Sequence, residues 1–493
     1  MGVPKSQRGP FTPMRFEATI TDCLVVEGEI PDGLVGGFYR NGPTWRRPNK
    51  QGCETAYTMD GMVQGLVFRE GRIEFRNRWV RTPKFLAEER AGRSLFSYTD
   101  GHFDDWRAWG LGDVHRDKFN AGIPQGTNAI NAMPFNGEVL ALAEQGCPPI
   151  AMDPITLETR GVVDWSHRLP EGLNEPVCFG DGMLGPHPKW DAATGELWGC
   201  TYRDRPPYIS VHCVTPDGAV RTRHLDDGPY AAVCHDMWLT ENWAVVAFTP
   251  FIQDRARIAR GTSIYGWETD LPTVLALVPR ADIDGPVTWI EGDFEPQWVM
   301  HTLAANEVDG QVVLDGPLFD APPFMTEDRF EPGIEYIPFW QVATSRAGRW
   351  VVDLDKGKAT TEYVGDRPVE LPKIDERFWG RPYEWGFYLA GEPVKDGMRM
   401  NSIMRRNVRS GAEDVYTVEH RRPVGVYESA FIPRTPDSPE GDGYLITPVA
   451  HFTEGRSEFL LFGAEDLAAG PIARIELPFL IGWTPHGHWM DFR

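Results

Sequence analysis

Met62-Val-Gln-Gly-Leu-Val-Phe68, then Arg69-Glu70-Gly71, then Arg72-Ile-Glu-Phe-Arg-Asn-Arg-Trp-Val80: two runs rich in β-branched and aromatic residues flank a short turn containing glycine. This pattern predicts a β-hairpin. It recurs at Glu138–Ala143 with Pro149–Asp153 and at Glu196–Tyr202 with Tyr208–Val214. Further strand-like runs are Trp243–Phe248, Val274–Val278, Gln311–Leu314, Trp350–Asp353, Tyr444–Val449 and Glu458–Phe462. Asn136-Gly137, Asp217-Gly218 and Asp309-Gly310 stand where hairpin turns belong. Helical periodicity is weak, and Pro83–Leu95 and Phe251–Arg260 are the two stretches where a helix is expected.

The runs continue through all 493 residues, and no charge block, low-complexity tract or linker divides them. The 51 glycines and 42 prolines are too many breakers for long helices and suit short strands joined by turns. An unbroken series of strands implies one closed all-β architecture, and a β-propeller meets the need because radial blades leave no long exposed sheet edge. Seven blades of roughly 60–70 residues would use up the chain, although no clean repeat of that period is visible. The expectation is a single domain over residues 1–493, with 1–20 as a loosely packed arm.

The net charge of −22 opposes binding to phosphate backbones and to anionic lipid, so a nucleic-acid partner and strong membrane association are both excluded as expectations. No run of 18 apolar residues occurs. The seven cysteines (Cys23, Cys53, Cys147, Cys178, Cys200, Cys213 and Cys234) are scattered, and no C-x-x-C is present. They read as buried thiols of a reducing, cytoplasmic setting.

Four of the twelve histidines stand out by their neighbours: His187 in Gly-Pro-His-Pro-Lys-Trp-Asp, His235 in Val-Cys-His-Asp-Met-Trp, His301 in Val-Met-His-Thr-Leu and His486 in Thr-Pro-His-Gly-His-Trp. Each falls at a strand end or turn. In a propeller the inner strands line the axis, so four such side chains can meet on one ion. Taken singly, each also suits a hydrogen-bonded structural role, and the spacing is no compact metal motif.

The words around them carry more. Glu27-Gly-Glu-Ile-Pro-Asp-Gly-Leu-Val-Gly-Gly-Phe-Tyr-Arg-Asn-Gly-Pro43, Asp60-Gly61-Met62, Leu140-Ala-Leu-Ala-Glu-Gln-Gly146, His187-Pro-Lys-Trp-Asp191, His235-Asp236, Asn306-Glu307, Glu370-Leu-Pro372, Glu428, Phe431-Ile-Pro-Arg434, Glu440-Gly-Asp-Gly-Tyr-Leu445 and His486-Gly487 follow one another in order. From about residue 25 to 490 the chain resembles the carotenoid cleavage oxygenase family. The resemblance implies a seven-bladed propeller, with a few helical or loop insertions forming a dome over an axial non-haem iron(II). The implied ligands are His187, His235, His301 and His486. Glu144, Glu370 and Glu428 would accept hydrogen bonds from the far N–H of ligand rings, fixing tautomer and orientation. His488 competes with His486, but the family's His-Gly step favours His486.

The resemblance further implies cleavage of a carbon–carbon double bond by O2 into two carbonyl products. Glu88-Glu-Arg-Ala-Gly-Arg-Ser-Leu-Phe96 looks like the bacterial branch that splits lignostilbene and isoeugenol. A small aromatic alkene is therefore the expected substrate, with an apocarotenoid as the alternative and a non-enzymatic propeller scaffold as the third reading. Two positions depart from that branch. Ala143 replaces a lysine that with a tyrosine, here Tyr98, would bind a phenolic oxygen. Ile130 stands where a threonine would face the open side of the iron. Phe96, Tyr98, Ile130 and Ala143 are the candidate substrate contacts, with Trp106 and Trp340 as further aromatic wall.

Overall fold

The computed structural model describes residues 14–44, 46–47, 59–93, 127–144, 148–163, 184–254, 256–257, 260, 265–323, 344–394, 397–419 and 424–493. Their regular structure is almost entirely strand. The deciding hairpin is present: Asp60–Arg69 pairs antiparallel with Arg72–Trp79. Its turn places Glu70 at φ 52 and Gly71 at φ 71, and Asn136-Gly137 and Asp309-Gly310 turn in the same left-handed way. Turns of that hand match the right-handed twist of the strands they join.

Two of the sheets are four-stranded meanders. Asn131–Phe135, Glu138–Leu142, Ile150–Met152 and Thr159–Val162 lie in that order in one. Lys189–Trp190, Leu197–Tyr202, Ile209–Val214 and Val220–His224 form a second. An eleven-stranded sheet begins at Trp238–Leu239 and runs through Trp243–Phe248, Val274–Pro279 and Thr288–Gly292. From Thr288–Gly292 it crosses to Lys358–Lys373, Ser345–Asp353, Gln311–Phe319 and Ala304–Val308, with Trp385–Val394, Gly397–Asn407 and Glu413–Thr417 as a branch. A six-stranded sheet joins Leu24–Gly28 to Ala473–Leu477, Arg456–Gly463 and Gly443–His451. In the five-stranded sheet, Gly36–Thr44 takes His486–Asp491 as its neighbour, so the two ends of the sequence close one sheet.

The core lies between sheet faces. Phe38, Leu66 and Phe75 of one sheet meet Ile446, Phe459, Leu461 and Ile475 of the next. Phe38 and Phe459 touch edge to face at 6.3 Å. Burying each such side chain contributes roughly 1.5–3 kcal/mol, and tight packing between faces holds the inner strand ends in place.

Two expectations need correction. Of the helix expected over Phe251–Arg260, residues 256–257 are helical, but Phe251–Gln253 is a strand paired with Tyr265–Trp267. Its other side is also engaged, since Val233 N–H donates to Phe251 C=O at 2.8 Å and Gln253 N–H to Ala231 C=O at 2.9 Å. Lateral pairing on both sides outweighs a weak helical preference. Nor is the expected arm loose from residue 14 onward, because Ala18–Ile20 pairs with Phe75–Asn77 and Met14 is buried in the core. The helix expected from Pro83 forms over Pro83–Ala91, capped by the Thr82 hydroxyl and ended by Gly92 at φ 66. Among the described residues no helix is long and apolar enough to cross a membrane.

Candidate metal centre

The histidines singled out in the sequence all occupy, or directly precede, an end strand of a sheet. His187 precedes Lys189–Trp190, His235 precedes Trp238–Leu239, His301 precedes Ala304–Val308, and His486 opens His486–Asp491. Short end strands have few backbone groups to leave unpaired, and here they converge. One ring nitrogen from each of His187, His235, His301 and His486 lies within 4.8 Å of every other. The Nε2 atoms of His187 and His235 are 3.0 Å apart.

The opposite ring nitrogens are engaged by carboxylates. His235 Nδ1 faces Glu144 Oε1 at 2.6 Å, His301 Nδ1 faces Glu370 Oε2 at 2.6 Å, and His486 Nδ1 faces Glu428 Oε1 at 3.1 Å. A carboxylate accepts, so Nδ1 carries the proton and Nε2 presents its lone pair to the cluster. His301 Nε2 is buried without a hydrogen-bond partner.

Local backbone features aim the carboxylates. The register shifts between Glu370 and Lys373, a bulge of the kind that redirects a side chain. Leu371 there takes φ 48, and its N–H donates to Glu370 Oε2. Glu428 also accepts from Gly487 N–H at 2.8 Å. A Cβ at Gly487 would stand 2.6 Å from both Arg40 Cγ and Tyr39 O, which is why the histidine is followed by glycine. Glu144 accepts a 2.7 Å hydrogen bond from the Tyr202 hydroxyl.

Burial lowers the pKa of His187 well below its ordinary value, helped by the neighbouring imidazoles. For the same first reason His301 falls to about 3 and His486 to about 4. Burial opposes protonation of His235 too, but the Glu144 carboxylate outweighs it and the pKa rises. Burial pushes Glu370 up to about 8. Glu428, though buried, is held well below the usual carboxylate range by Lys373 and His486. His187, His301 and His486 are thus kept as neutral nitrogen donors, and carboxylates back three of the four rings, a donor set that suits a divalent transition metal. The cluster could hold such an ion.

His488 does not join the four. Its Nδ1 faces Glu376 Oε1 at 2.7 Å, and Glu376 also accepts from Lys373 at 3.3 Å. Ile130 and Ala143 are both buried and lie side by side, since Ile130 N–H donates to Leu142 C=O at 3.1 Å next to Ala143 and Glu144. Phe96, Tyr98, Trp106 and Trp340 lie outside the described residues. Sequence reading passed over Tyr202 and Lys373, which bear directly on two of the carboxylates. Lys373 had a signal, being a lysine next to Glu370-Leu-Pro372. Tyr202 had none.

With this geometry in view, comparison with known proteins is direct. The family described as retinal pigment epithelial membrane protein matches residues 11–491. The chain belongs to that family, the carotenoid cleavage oxygenases, and its relatives are named as oxygenases and dioxygenases, consistent with a carbon–carbon double-bond-cleaving oxygenase. Isoeugenol monooxygenase of Pseudomonas nitroreducens is 31% identical over 98% of this chain and 97% of its own. Lignostilbene-α,β-dioxygenase isozyme III of Sphingomonas paucimobilis is 30% identical over 98% and 96%. The crystal structure of Pseudomonas brassicacearum lignostilbene dioxygenase superposes with a TM-score of 0.83 at 29% identity, covering 100% of both chains.

Proposed function

We propose that the protein is a non-haem iron(II) dioxygenase that cleaves the double bond of a small phenolic alkene: a phenylpropene, a vinylphenol or a stilbene. His187, His235, His301 and His486 would hold the iron. The convergence of four imidazoles, three of them backed by a buried carboxylate, carries this reading. The relatives named for isoeugenol and lignostilbene supply the substrate class. A seven-bladed count is supported by setting aside the two-stranded sheet and dividing the eleven-stranded one at its two-residue parallel contact, Glu291–Gly292 with Lys358–Ala359, and between Pro368 and Val369, where Lys358–Lys373 changes partner. Four buried free cysteines, including Cys200 and Cys234 with sulfurs 3.9 Å apart, support a cytoplasmic setting.

Iron(II), when bound, would activate O2 beside the alkene, and the overall change balances as RCH=CHR′ plus O2 giving RCHO and R′CHO. The chain's part is to hold four imidazoles together and oriented before the metal arrives. Glu144, Glu370 and Glu428 hold the Nδ1 protons, and Tyr202 and Lys373 hold two of those carboxylates in turn. Ile130 and Ala143 are buried beside Glu144, and alanine at 143 supplies no cation to favour a phenolate. A phenol would then bind protonated, or be anchored elsewhere.

The test is product analysis by mass spectrometry. Iron(II)-loaded protein in air is given isoeugenol, 4-vinylphenol, a 4-hydroxystilbene and an apocarotenal in parallel. Aromatic aldehydes from the phenolic alkenes, lost in His235→Ala, are the expected result. Cleavage of the apocarotenal alone would move the protein to the apocarotenoid reading. An iron-loaded protein inert toward all four would overturn the substrate class.

A further inference from the structure

The Asp236 carboxylate gathers three of the four histidine-bearing segments at one point. Asp236 follows His235. Its Oδ1 lies 2.8 Å from Lys189 Nζ, two residues beyond His187, and Lys189 also reaches Oδ2 at 3.1 Å. Its Oδ2 accepts from both Thr302 N–H at 2.8 Å and the Thr302 hydroxyl at 2.9 Å, immediately after His301. Oδ1 further accepts from Met237 N–H at 2.7 Å, and the Thr302 hydroxyl, whose one hydrogen is shared between them, lies 2.9 Å from both Asp236 Oδ2 and Met237 C=O. All three side chains are buried. Lys189 also lies 5.3 Å from the centre of the Trp379 ring.

No backbone pairing in the sheets joins these three segments directly, since each opens a separate end strand. Something must hold the ends in mutual register if three Nε2 atoms are to face a common point. Glu144 and Glu370 fix the rotation of individual rings. They do not tie one histidine-bearing strand to another.

We propose that Asp236, with Lys189 and Thr302, is a positioning clamp that presets the spacing of His187, His235 and His301 for metal binding. The proposal rests on the reading of the four histidines as metal ligands. Asp236 touches neither metal nor substrate and acts through the three backbones. A buried carboxylate suits the task because it can accept several hydrogen bonds at once, at angles a neutral amide cannot match.

The experiment uses the full chain and Co(II) as an optical probe, titrated anaerobically into metal-free protein, with dissociation constant and visible spectrum as readouts. Asp236→Asn leaves Lys189 buried without its carboxylate and is expected to lower the denaturation midpoint. Lys189→Met/Asp236→Asn removes both charges and should recover much of that midpoint. If the clamp positions the ligands, the double variant still binds Co(II) about 10- to 100-fold more weakly, with an altered spectrum. Thr302→Val, which keeps both charges, should weaken Co(II) binding in the same direction by a smaller factor. Glu458→Gln, which breaks the distant Glu458–His451 pair, serves as the control: its midpoint falls while its Co(II) affinity and spectrum stay unchanged.

Wild-type affinity and spectrum in the stable double variant would overturn the clamp and leave the four-histidine site standing. A wild-type protein that binds no Co(II), or binds it unchanged in His301→Ala, would overturn the four-histidine reading itself, and the clamp with it.

Discussion

Lys373 is the cation paired with the buried Glu428 carboxylate and the half-buried Glu376 carboxylate. Its Nζ lies 3.3 Å from Glu428 Oε2 and 3.3 Å from Glu376 Oε1. Burial works against the ammonium, yet the two carboxylates raise its pKa above the ordinary value. At an effective dielectric constant of about 20, each pair at this spacing attracts by about 5 kcal/mol, most of which is offset by desolvation. Lys373→Met removes the cation and leaves the Glu428 carboxylate buried without it. Breaking a buried pair in this way costs about 3–5 kcal/mol. Denaturant titration of the metal-free protein at pH 7 should show a loss of that size. Metal loading should return part of it, because a bound dication supplies the positive charge that Glu428 has lost. The metal-induced rise in midpoint should therefore be larger in the variant than in the wild type. A loss below about 1 kcal/mol in metal-free protein, or a metal-induced rise no larger than that of the wild type, would refute the reasoning.

Burial lowers His212 to about 3, between the Thr201 and Thr222 hydroxyls at 2.9 Å each. A folded pKa below the unfolded value of about 6.5 gives stability that is complete above pH 6.5 and drains as pH falls toward 3, by up to about 1.4 kcal/mol per pH unit. His212→Gln should flatten the decline between pH 6.5 and 4.5, read by denaturation midpoints; an unchanged slope would contradict this. Burial pushes the Cys23 thiol up to about 12, so native protein at pH 8 should show Cys23 unalkylated by iodoacetamide, and denaturant should expose it, as mass mapping would report. A Cβ at Gly61 would stand 2.3 Å from the Asn128 carbonyl oxygen. Because backbone cannot swing aside as a side chain can, Gly61→Ala should cost about 1–3 kcal/mol in chemical denaturation, and a neutral result would mean that the two strands separate freely.

How much of this was readable in the chain differs by kind of interaction. Hairpins such as Met62–Val80 announce themselves because alternation and turn chemistry are local, and every strand run named from the sequence has a counterpart among the described strands. Phe251 misled because lateral pairing, decided by distant partners such as Ala231 and Val233, is invisible to periodicity. The four histidines stand together in space as they stood out in sequence, since each sat in a distinctive word. Their supports were less legible. Tyr202 reaches Glu144 across 58 positions, and nothing near it in the sequence foretells the contact. Asp236 lay in plain view beside His235, but its role emerges only when Lys189 and Thr302 come within hydrogen-bond distance.

The pairing of Gly36–Thr44 with His486–Asp491 sets Asn41 opposite His486. While the chain is being synthesised, the strand that will flank His486 must wait, unpartnered on that side, for almost the whole molecule to be made. Closing the last sheet and bringing in the fourth histidine are then a single event. An ion that required all four rings could be captured only after that event, and would act as a latch across the seam between the two ends of the sequence. A chain cut short of the seam would lack both the latch and the His486–Asp491 strand, so ion retention would report directly on whether synthesis had passed that strand.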